Sequence, residues 1–216
     1  LARNTPQTLR LTLIDPKRNA FLDLAESPFL EMPLVFPPEQ PAVRALETLV
    51  EEMERRYVLI AGGESIGDFA RRNSVSIPRI VCVCDEYADL ILGNRTERKQ
   101  IEMLIARLGS KARAAGIHLI MATQQPSRNV IGGTLVANLP CRVTLKTNSP
   151  IESRMVIMEG GAENLLGHGD LLFRDVGKPE RLQGVLLTET ERRRWFGRLT
   201  VIPTASGGPA AVSAQG

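Results

Sequence analysis

Short apolar runs alternate along this chain with longer stretches in which apolar residues recur at helical spacing. Five runs predict strands, at residues 9–15, 77–86, 116–124, 141–147 and 169–174. Residues 45–60 and 97–114 instead carry an apolar side chain every three or four positions, which predicts helices. The order strand, helix, strand implies right-handed parallel crossovers and a sheet covered on both faces. The pattern therefore predicts an α/β fold.

One of the predicted strands, IVCVC at residues 80–84, ends abruptly in two carboxylates, Asp85 and Glu86. Ligands of α/β proteins bind at the carboxyl ends of parallel strands. In a nucleotide-hydrolysing motor, one acidic residue at this place holds Mg²⁺ through water and a second polarises the attacking water. Asp85 and Glu86 are candidates for these two roles, although surface turns also produce apolar runs followed by two acids.

The strand at 116–124 also ends in polar side chains, those of Thr123 and Gln124. Neutral polar groups at the end of a neighbouring strand can contact a γ-phosphate and the water aligned against it. The alternative is that the two residues only cap a strand. Two neighbouring strands that both end in such groups favour a nucleotide site.

Charge is distributed unevenly along the chain. Residues 15–64 contain five basic and ten acidic residues, whereas residues 91–128 contain seven basic and two acidic residues. A basic block can bind an anionic partner, and the alternative is that it is a solvated helix face.

Cysteine content and the length of the apolar runs exclude two classes of protein. Three cysteines in 216 residues do not make a disulfide-rich secreted scaffold. No apolar run approaches the roughly 18 residues of a membrane span. We therefore predict a cytoplasmic chain that makes no direct membrane contact.

Several long segments, in one order, resemble the FtsK/SpoIIIE family of DNA translocases. They are LIDPKR (13–18), EEMERRY (51–57), VCDEYADLIL (83–92), the stretch from IEMLIARLGSKARAAG to SPIESRMVI (101–157), GAENLLGHGDLLF (161–173) and RLQGVLL (181–187). The resemblance implies a RecA-like P-loop NTPase core with a mainly parallel sheet flanked by helices. It further implies a homo-hexameric ring that uses ATP and Mg²⁺ to move double-stranded DNA, in chromosome segregation and cell division or in plasmid transfer.

The same resemblance assigns roles to individual residues. Asp85 and Glu86 match the Walker B pair, in which the first residue coordinates Mg²⁺ and the second is the catalytic base. Gln124 matches the polar sensor, and Arg113, within KARAAG, matches the arginine that one subunit offers to the ATP of its neighbour. An arginine suits this role because its guanidinium stabilises charge spread over a transferring phosphoryl group.

Two loops are predicted to contact DNA, because the loops after the catalytic strands face the pore in RecA-like rings. Residues 93–99 carry Arg95, Arg98 and Lys99, and residues 125–134 carry Arg128. Such cations would bind phosphates without reading the base sequence, as a motor that passes over any base requires. The alternative is ordinary loop polarity.

The sequence departs from the family chiefly in having no GxxxxGK[ST] loop, so the β- and γ-phosphates lack their backbone cradle and lysine. In the family this loop precedes the LIDPK strand. We therefore predict an N-terminally truncated motor domain over residues 1–200, with an incomplete ATP site, and a flexible tail over 201–216.

The sequence leaves several points open. The chain could instead be a non-hydrolysing ring subunit or adaptor that donates Arg113, or a conjugation or secretion ATPase. Gln125 stands where the family often has arginine, and the family's winged-helix domain is not present in the sequence. The sequence also leaves open whether a parent protein is anchored to the inner membrane by an upstream segment.

Overall fold

A computed structural model describes residues 3–60, 63–93 and 95–200. The strands in these residues are β1 (Leu9–Ile14), β2 (Arg79–Cys84), β3 (Ile117–Met121), β4 (Arg142–Thr144), β5 (Asp170–Arg174) and β6 (Glu180–Gln183). The helices are α1 (Ala42–Leu59), α2 (Ile66–Asn73), α3 (Tyr87–Gly93), α4 (Arg98–Lys111), α5 (Gly133–Asn138), α6 (Pro150–Ile157) and α7 (Glu189–Thr200). The predicted tail over 201–216 lies outside the described residues. None of the helices in the described ranges is long and apolar enough to cross a membrane.

The first sheet is parallel and has the order β1-β2-β3. Its central strand, β2, places Ile80, Cys82 and Cys84 on one face, where all three are buried. Helices α1 and α4 cover this face with the apolar stripes that their spacing predicts. The two cysteines are therefore core residues, and burial raises the pKa of the Cys82 thiol to about 12.

The other face of the sheet is covered by the segment that follows β1. Leu11 and Leu13 pack there with Phe29 and Leu34, and Val83 of β2 contacts the same cluster. Both faces of β1 and β2 are thus covered, as the alternation of strands and helices predicts.

The second sheet is antiparallel, with the order β4-β5-β6. The strands predicted at residues 141–147 and 169–174 exist, but they do not extend the parallel sheet as simple strand–helix alternation suggests. Strand β6 was not among the predicted strands. Short apolar runs do not encode strand direction, and β4 and β5 are joined by an 8-residue helix, α6, and irregular segments instead of one long covering helix.

Helices α1 and α4 pair through their charged as well as their apolar faces. Arg107 of α4 donates to Glu54 of α1 at 2.9 Å, and Gln100 donates to Glu47 at 2.9 Å. Part of the charge asymmetry in the sequence is therefore internal pairing between an acidic helix and a basic one. Surface pairs of this kind contribute little stability, typically about 0.2–1 kcal/mol.

Candidate active site

The carboxyl edge of the parallel sheet collects the polar residues that follow its three strands. Asp85 and Glu86 follow β2, Thr123 and Gln124 follow β3, and Lys17 follows β1. Parallel strands bring these chain segments to one edge because all of them run in the same direction. The structure thus brings together all four residues that the sequence predicts for the nucleotide site on these strands.

Glu86 occupies the centre of this edge, and its side chain is only 1 % exposed. One carboxylate oxygen accepts a hydrogen bond from the Thr123 hydroxyl at 2.5 Å. The backbone N–H of Gln124 donates to both oxygens, at 3.1 and 3.2 Å. The Lys17 ammonium and the Ala88 amide add bonds of 3.3 Å each. All three strand ends therefore fix the position of this carboxylate.

These bonds keep Glu86 ionised. Burial by itself favours the neutral acid, but the hydrogen bonds from Thr123, Gln124, Lys17 and Ala88 outweigh it and lower the pKa of Glu86 below its ordinary value. The pKa of Lys17 is raised in return, since its bond to Glu86 and the nearby carboxylates outweigh its desolvation. A carboxylate in this state accepts hydrogen bonds at neutral pH and binds a proton only weakly.

The pKa of Asp85 is shifted in the opposite direction to that of Glu86. Its side chain is half-buried, and burial, followed by the charges of Asp15 and Glu86, raises its pKa. Asp15 is fully buried, and its Oδ1 has no hydrogen-bond partner in the part of the chain that the structure describes. The nearby Lys17 ammonium offsets only part of the negative charge beside Asp85, and a further cation would relieve the rest.

The residues present fit Mg²⁺ held by few protein ligands. Among the described residues no group of three or more His, Cys, Asp or Glu could enclose a metal ion. Mg²⁺ in nucleotide sites usually keeps several waters and takes one or two carboxylates together with phosphate oxygens. Asp85 can supply such a contact through water, and Asp15 supplies a second negative charge nearby.

Thr123→Val tests how strongly this edge holds Glu86. The change keeps the shape of the side chain and removes the hydroxyl donor to a buried carboxylate, so we expect a loss of about 2 kcal/mol in unfolding free energy at pH 7. A group with a lowered pKa stabilises the fold above its ordinary pKa, about 4.3, and loses that contribution as pH falls through the folded value. The deficit should therefore shrink below about pH 4.

Denaturant unfolding at pH 7 and at about pH 3, below the ordinary range of the Glu86 carboxyl, measures both effects. Thr48→Val is a matched control, because the Arg44 carbonyl within α1 is the only partner of its hydroxyl among the described residues. It should change the unfolding free energy by less than about 0.5 kcal/mol at either pH. Equal destabilisation of the two variants would contradict the interpretation.

Arg113 lies far from the other predicted site residues. It follows α4 and precedes β3, so it is at the amino edge of the sheet, whereas Thr123 is at the carboxyl edge. The five residues of strand β3 separate the two edges by about 17 Å at roughly 3.3 Å per residue. An exposed side chain at this position cannot reach Glu86 of the same chain.

The four predicted DNA-binding residues lie at the carboxyl side of the sheet, but two are not in a loop. Helix α4 begins at Arg98, so Arg98 and Lys99 form its first turn, and Arg95 lies in the short link before it. Arg95, Lys99 and Arg128 are exposed. Likewise, the predicted second loop ends earlier than expected, since α5 begins at Gly133.

Arg98 has internal partners that the sequence did not predict. Its guanidinium donates to Glu102 at 2.9 Å and to the Asn129 carbonyl at 2.7 Å. It therefore ties the start of α4 to the segment that follows β3. A DNA contact by Arg98 stays a prediction, whereas its link between the two predicted loops is a property of the fold.

Sequence reasoning missed the contribution of Lys17 and Asp15 to this edge. Both lie in LIDPKR, one of the segments that resemble the FtsK/SpoIIIE family. Their position could have indicated a place in the site, because Asp15 and Lys17 follow an apolar strand, β1, that pairs with β2 in the sheet.

Comparison with known proteins agrees with this architecture. Residues 1–65 and 62–128 match the model of the FtsK/SpoIIIE family. The chain belongs to this family. It is 41 % identical over 209 residues to a DNA translocase FtsK of Corynebacterium efficiens, and 43 % identical over 183 residues to one of Campylobacter jejuni.

Those alignments cover 88 % and 82 % of this chain but 22 % and 19 % of the two relatives. This FtsK/SpoIIIE chain thus spans about a fifth of the length of the curated relatives that it matches.

Solved structures share the fold. The pCW3 conjugation coupling protein TcpA, in its monomer form with ATPγS, superposes with a TM-score of 0.78 at 22 % identity, covering 90 % of this chain and 57 % of TcpA. The type VII secretion ATPase EccC of Thermomonospora curvata gives a TM-score of 0.68 at 25 % identity, covering 83 % of this chain and 22 % of EccC. The predicted fold class, a P-loop NTPase core of the RecA type with helices flanking a parallel sheet, is confirmed.

Proposed function

We propose that this chain belongs to an ATP-driven motor that moves double-stranded DNA. The carboxyl edge of its parallel sheet contributes the residues that hydrolyse ATP, and the two predicted loops face the DNA. The observation that carries the proposal is the single cluster in which Asp85, Glu86, Thr123 and Gln124 meet at the ends of two adjacent parallel strands. The curated relatives named DNA translocase FtsK support DNA as the cargo.

At this edge Asp85 would hold Mg²⁺ through water. The ion, when bound with ATP, neutralises charge on the phosphate oxygens. Glu86 orients and polarises the attacking water by accepting its hydrogen bond, as an ionised carboxylate with a lowered pKa can. Because Glu86 is 1 % exposed, its side chain must turn away from Thr123 to contact that water.

Gln124 is well placed to report on the nucleotide. Its backbone N–H donates to the Glu86 carboxylate, while its side chain is exposed at the same edge. A contact between that side chain and the γ-phosphate would connect the nucleotide to the segment after β3, which carries Arg128. Arg98 links this segment to α4 through the Asn129 carbonyl, so movement would pass to both predicted DNA-binding regions.

A ring of six copies completes the site in this proposal. Arg113 is at the amino edge of its own sheet, and the five residues of β3, about 17 Å at roughly 3.3 Å per residue, lie between it and the carboxyl edge, which leaves a neighbouring subunit as the place where its guanidinium can meet ATP. Head-to-tail packing in a closed ring offers each amino-edge arginine to the next carboxyl-edge site.

The test is DNA-dependent ATP hydrolysis by the full-length gene product, combined with displacement of the third strand from a DNA triplex. We expect linear double-stranded DNA to stimulate hydrolysis and the triplex strand to be released only with ATP. Hydrolysis without DNA stimulation, or stimulation without strand release, would contradict the translocase proposal.

DNA contact predicts a salt-dependence signature for individual cations. Arg95→Ala, Lys99→Ala and Arg128→Ala should each lower the slope of log affinity against log salt concentration by about 1, without changing preference among DNA sequences. Lys99 is the most informative of the three positions. A cation in the first turn of α4 is unfavourable to the helix dipole, so a contribution to helix stability does not explain why a lysine stands there. Fluorescence anisotropy with two unrelated duplexes measures the slopes.

Arg55→Ala is the matched control for these variants. Arg55 is an exposed cation on α1 whose partner is Glu52. It should leave the slope unchanged. A slope that falls equally in Arg55→Ala would indicate a general charge effect and contradict contact by the predicted residues.

A further inference from the structure

The turn that carries Arg113 has its backbone fixed to an unusual degree. The carbonyls of five consecutive residues, 111–115, each accept a hydrogen bond. The donors are Tyr57 Oη to Lys111 at 2.6 Å, Ile117 N to Ala112 at 3.0 Å, Gly116 N to Arg113 at 3.0 Å, Ile66 N to Ala114 at 2.8 Å, and Arg56 Nη1 to Ala115 at 2.9 Å. A free helix end would leave such carbonyls to water.

Two of these donors are adjacent residues of α1 that reach opposite ends of the turn. Arg56 is 2 % exposed, pairs with Glu52 at 2.6 Å, and holds the Ala115 carbonyl. Tyr57 holds the Lys111 carbonyl, the last one in α4. Burying a guanidinium is costly unless its charge and donors are satisfied. The core of α1 would be equally well packed by an apolar residue, so packing alone does not explain Arg56.

Gly116 closes the turn in a conformation that few other residues adopt. Its φ is +71°, and a Cβ there would lie 2.8 Å from Cγ2 of Ile66. The backbone is therefore held from α1, from α2 and by its own geometry. By contrast, the Arg113 side chain is exposed, and no hydrogen bond or ion pair from a described residue holds its guanidinium.

We propose that Arg56 and Tyr57 are positioning residues that fix this turn so that the free Arg113 guanidinium is presented to a neighbouring subunit in one geometry. The inference rests on the proposed function, because it assumes that Arg113 acts on the ATP of that neighbour. Fixing the backbone in advance lowers the ordering cost of the contact in the transition state. The exposed side chain then needs to order only its own torsions.

Tyr57→Phe tests the proposal with little risk to folding, since it removes one hydroxyl. In the full-length gene product we expect kcat for ATP hydrolysis to fall roughly tenfold with KM unchanged, because misplacement affects transition-state contacts. Thr48→Val removes a hydroxyl from the same helix without touching the turn and should leave kcat unchanged. In an Arg113→Ala background, Tyr57→Phe should cause no further fall, as expected for residues that act as a unit.

Amide hydrogen exchange on the protein provides a readout that does not depend on activity. In Tyr57→Phe the amides of Gly116 and Ile117, which bond within the turn, should exchange at least about tenfold faster, while the amides of β2 keep their protection. Unchanged exchange at these two amides would overturn the inference. So would an equal fall in kcat with and without Arg113.

The two proposals fail in different ways. If Arg113→Ala abolishes hydrolysis but Tyr57→Phe retains full kcat, only the positioning role is wrong. If Arg113→Ala itself retains full kcat, the role of Arg113 in the proposed function is wrong, and the positioning role falls with it.

Discussion

Glu86→Gln is expected to lower the turnover of ATP by about 10²–10⁴-fold in the full-length gene product while leaving the affinity for ATP nearly unchanged. The amide retains the size of the carboxylate and can still bond to Thr123 and Gln124. It cannot carry the negative charge that polarises water. Single-turnover hydrolysis and equilibrium binding of a fluorescent ATP analogue separate the two effects.

Glu47→Gln is a matched control, because it makes the same chemical change on α1, where Glu47 accepts a bond from Gln100. It should leave turnover unchanged. Asp85→Asn should behave differently from Glu86→Gln, because loss of the Mg²⁺ contact weakens Mg²⁺-dependent ATP binding as well as hydrolysis. Wild-type turnover in Glu86→Gln would rule out this carboxylate as the catalytic group.

The part of the fold that periodicity encodes could be predicted from the sequence. Strands β1 and β2 and the apolar stripes of α1 and α4 follow from spacing alone, because burial on both faces of a parallel sheet requires mainly apolar runs. Strand β3 follows from its apolar run too, although one of its faces is exposed. The second sheet could not be predicted in the same way. Strand β6, whose residues are all exposed, has no buried face to leave a pattern.

The sequence at the start of α2 carries a capping motif that predicts a helix start. Ser65 and Asp68 form a capping box, in which each side chain bonds to the backbone amide of the other. Helix α2 matters here because Ile66, its first residue, donates to the Ala114 carbonyl beside Arg113. The motif Ser-x-x-Asp was therefore a visible sign of a helix start next to the turn that carries Arg113.

Contacts between distant residues explain why the candidate site was predicted only in part. Asp85, Glu86, Thr123 and Gln124 were found because strand ends are visible in sequence. Lys17 is 69 positions from Glu86, and Arg56 is 59 positions from Ala115. One sequence gives no sign of such pairing, because a lysine after a strand and an arginine on an acidic helix look like solvated surface charges.

Arg113→Ala should lower the turnover of ATP by about 10³-fold, because an arginine finger stabilises charge on the transferring phosphoryl group. Arg113→Lys should restore little of that loss, since an ammonium cannot bond to phosphate oxygens in a bidentate manner. Steady-state hydrolysis with saturating DNA measures both variants. The unfolding free energy should stay near that of the wild type, because the Arg113 side chain is exposed and has no bonded partner among the described residues.

Mixing two inactive variants distinguishes action in trans from action in cis. In a ring assembled from equal amounts of Arg113→Ala and Glu86→Gln subunits, about a quarter of the interfaces would pair an intact Glu86 with an intact Arg113 of the neighbour, and activity should recover in proportion. A mixture of Glu86→Gln with the double variant contains no intact Glu86 and should stay inactive. If the first mixture also stays inactive although mixed rings form, Arg113 does not complete a neighbour's site, and its separation from the carboxyl edge by about 17 Å of β3 would need another explanation.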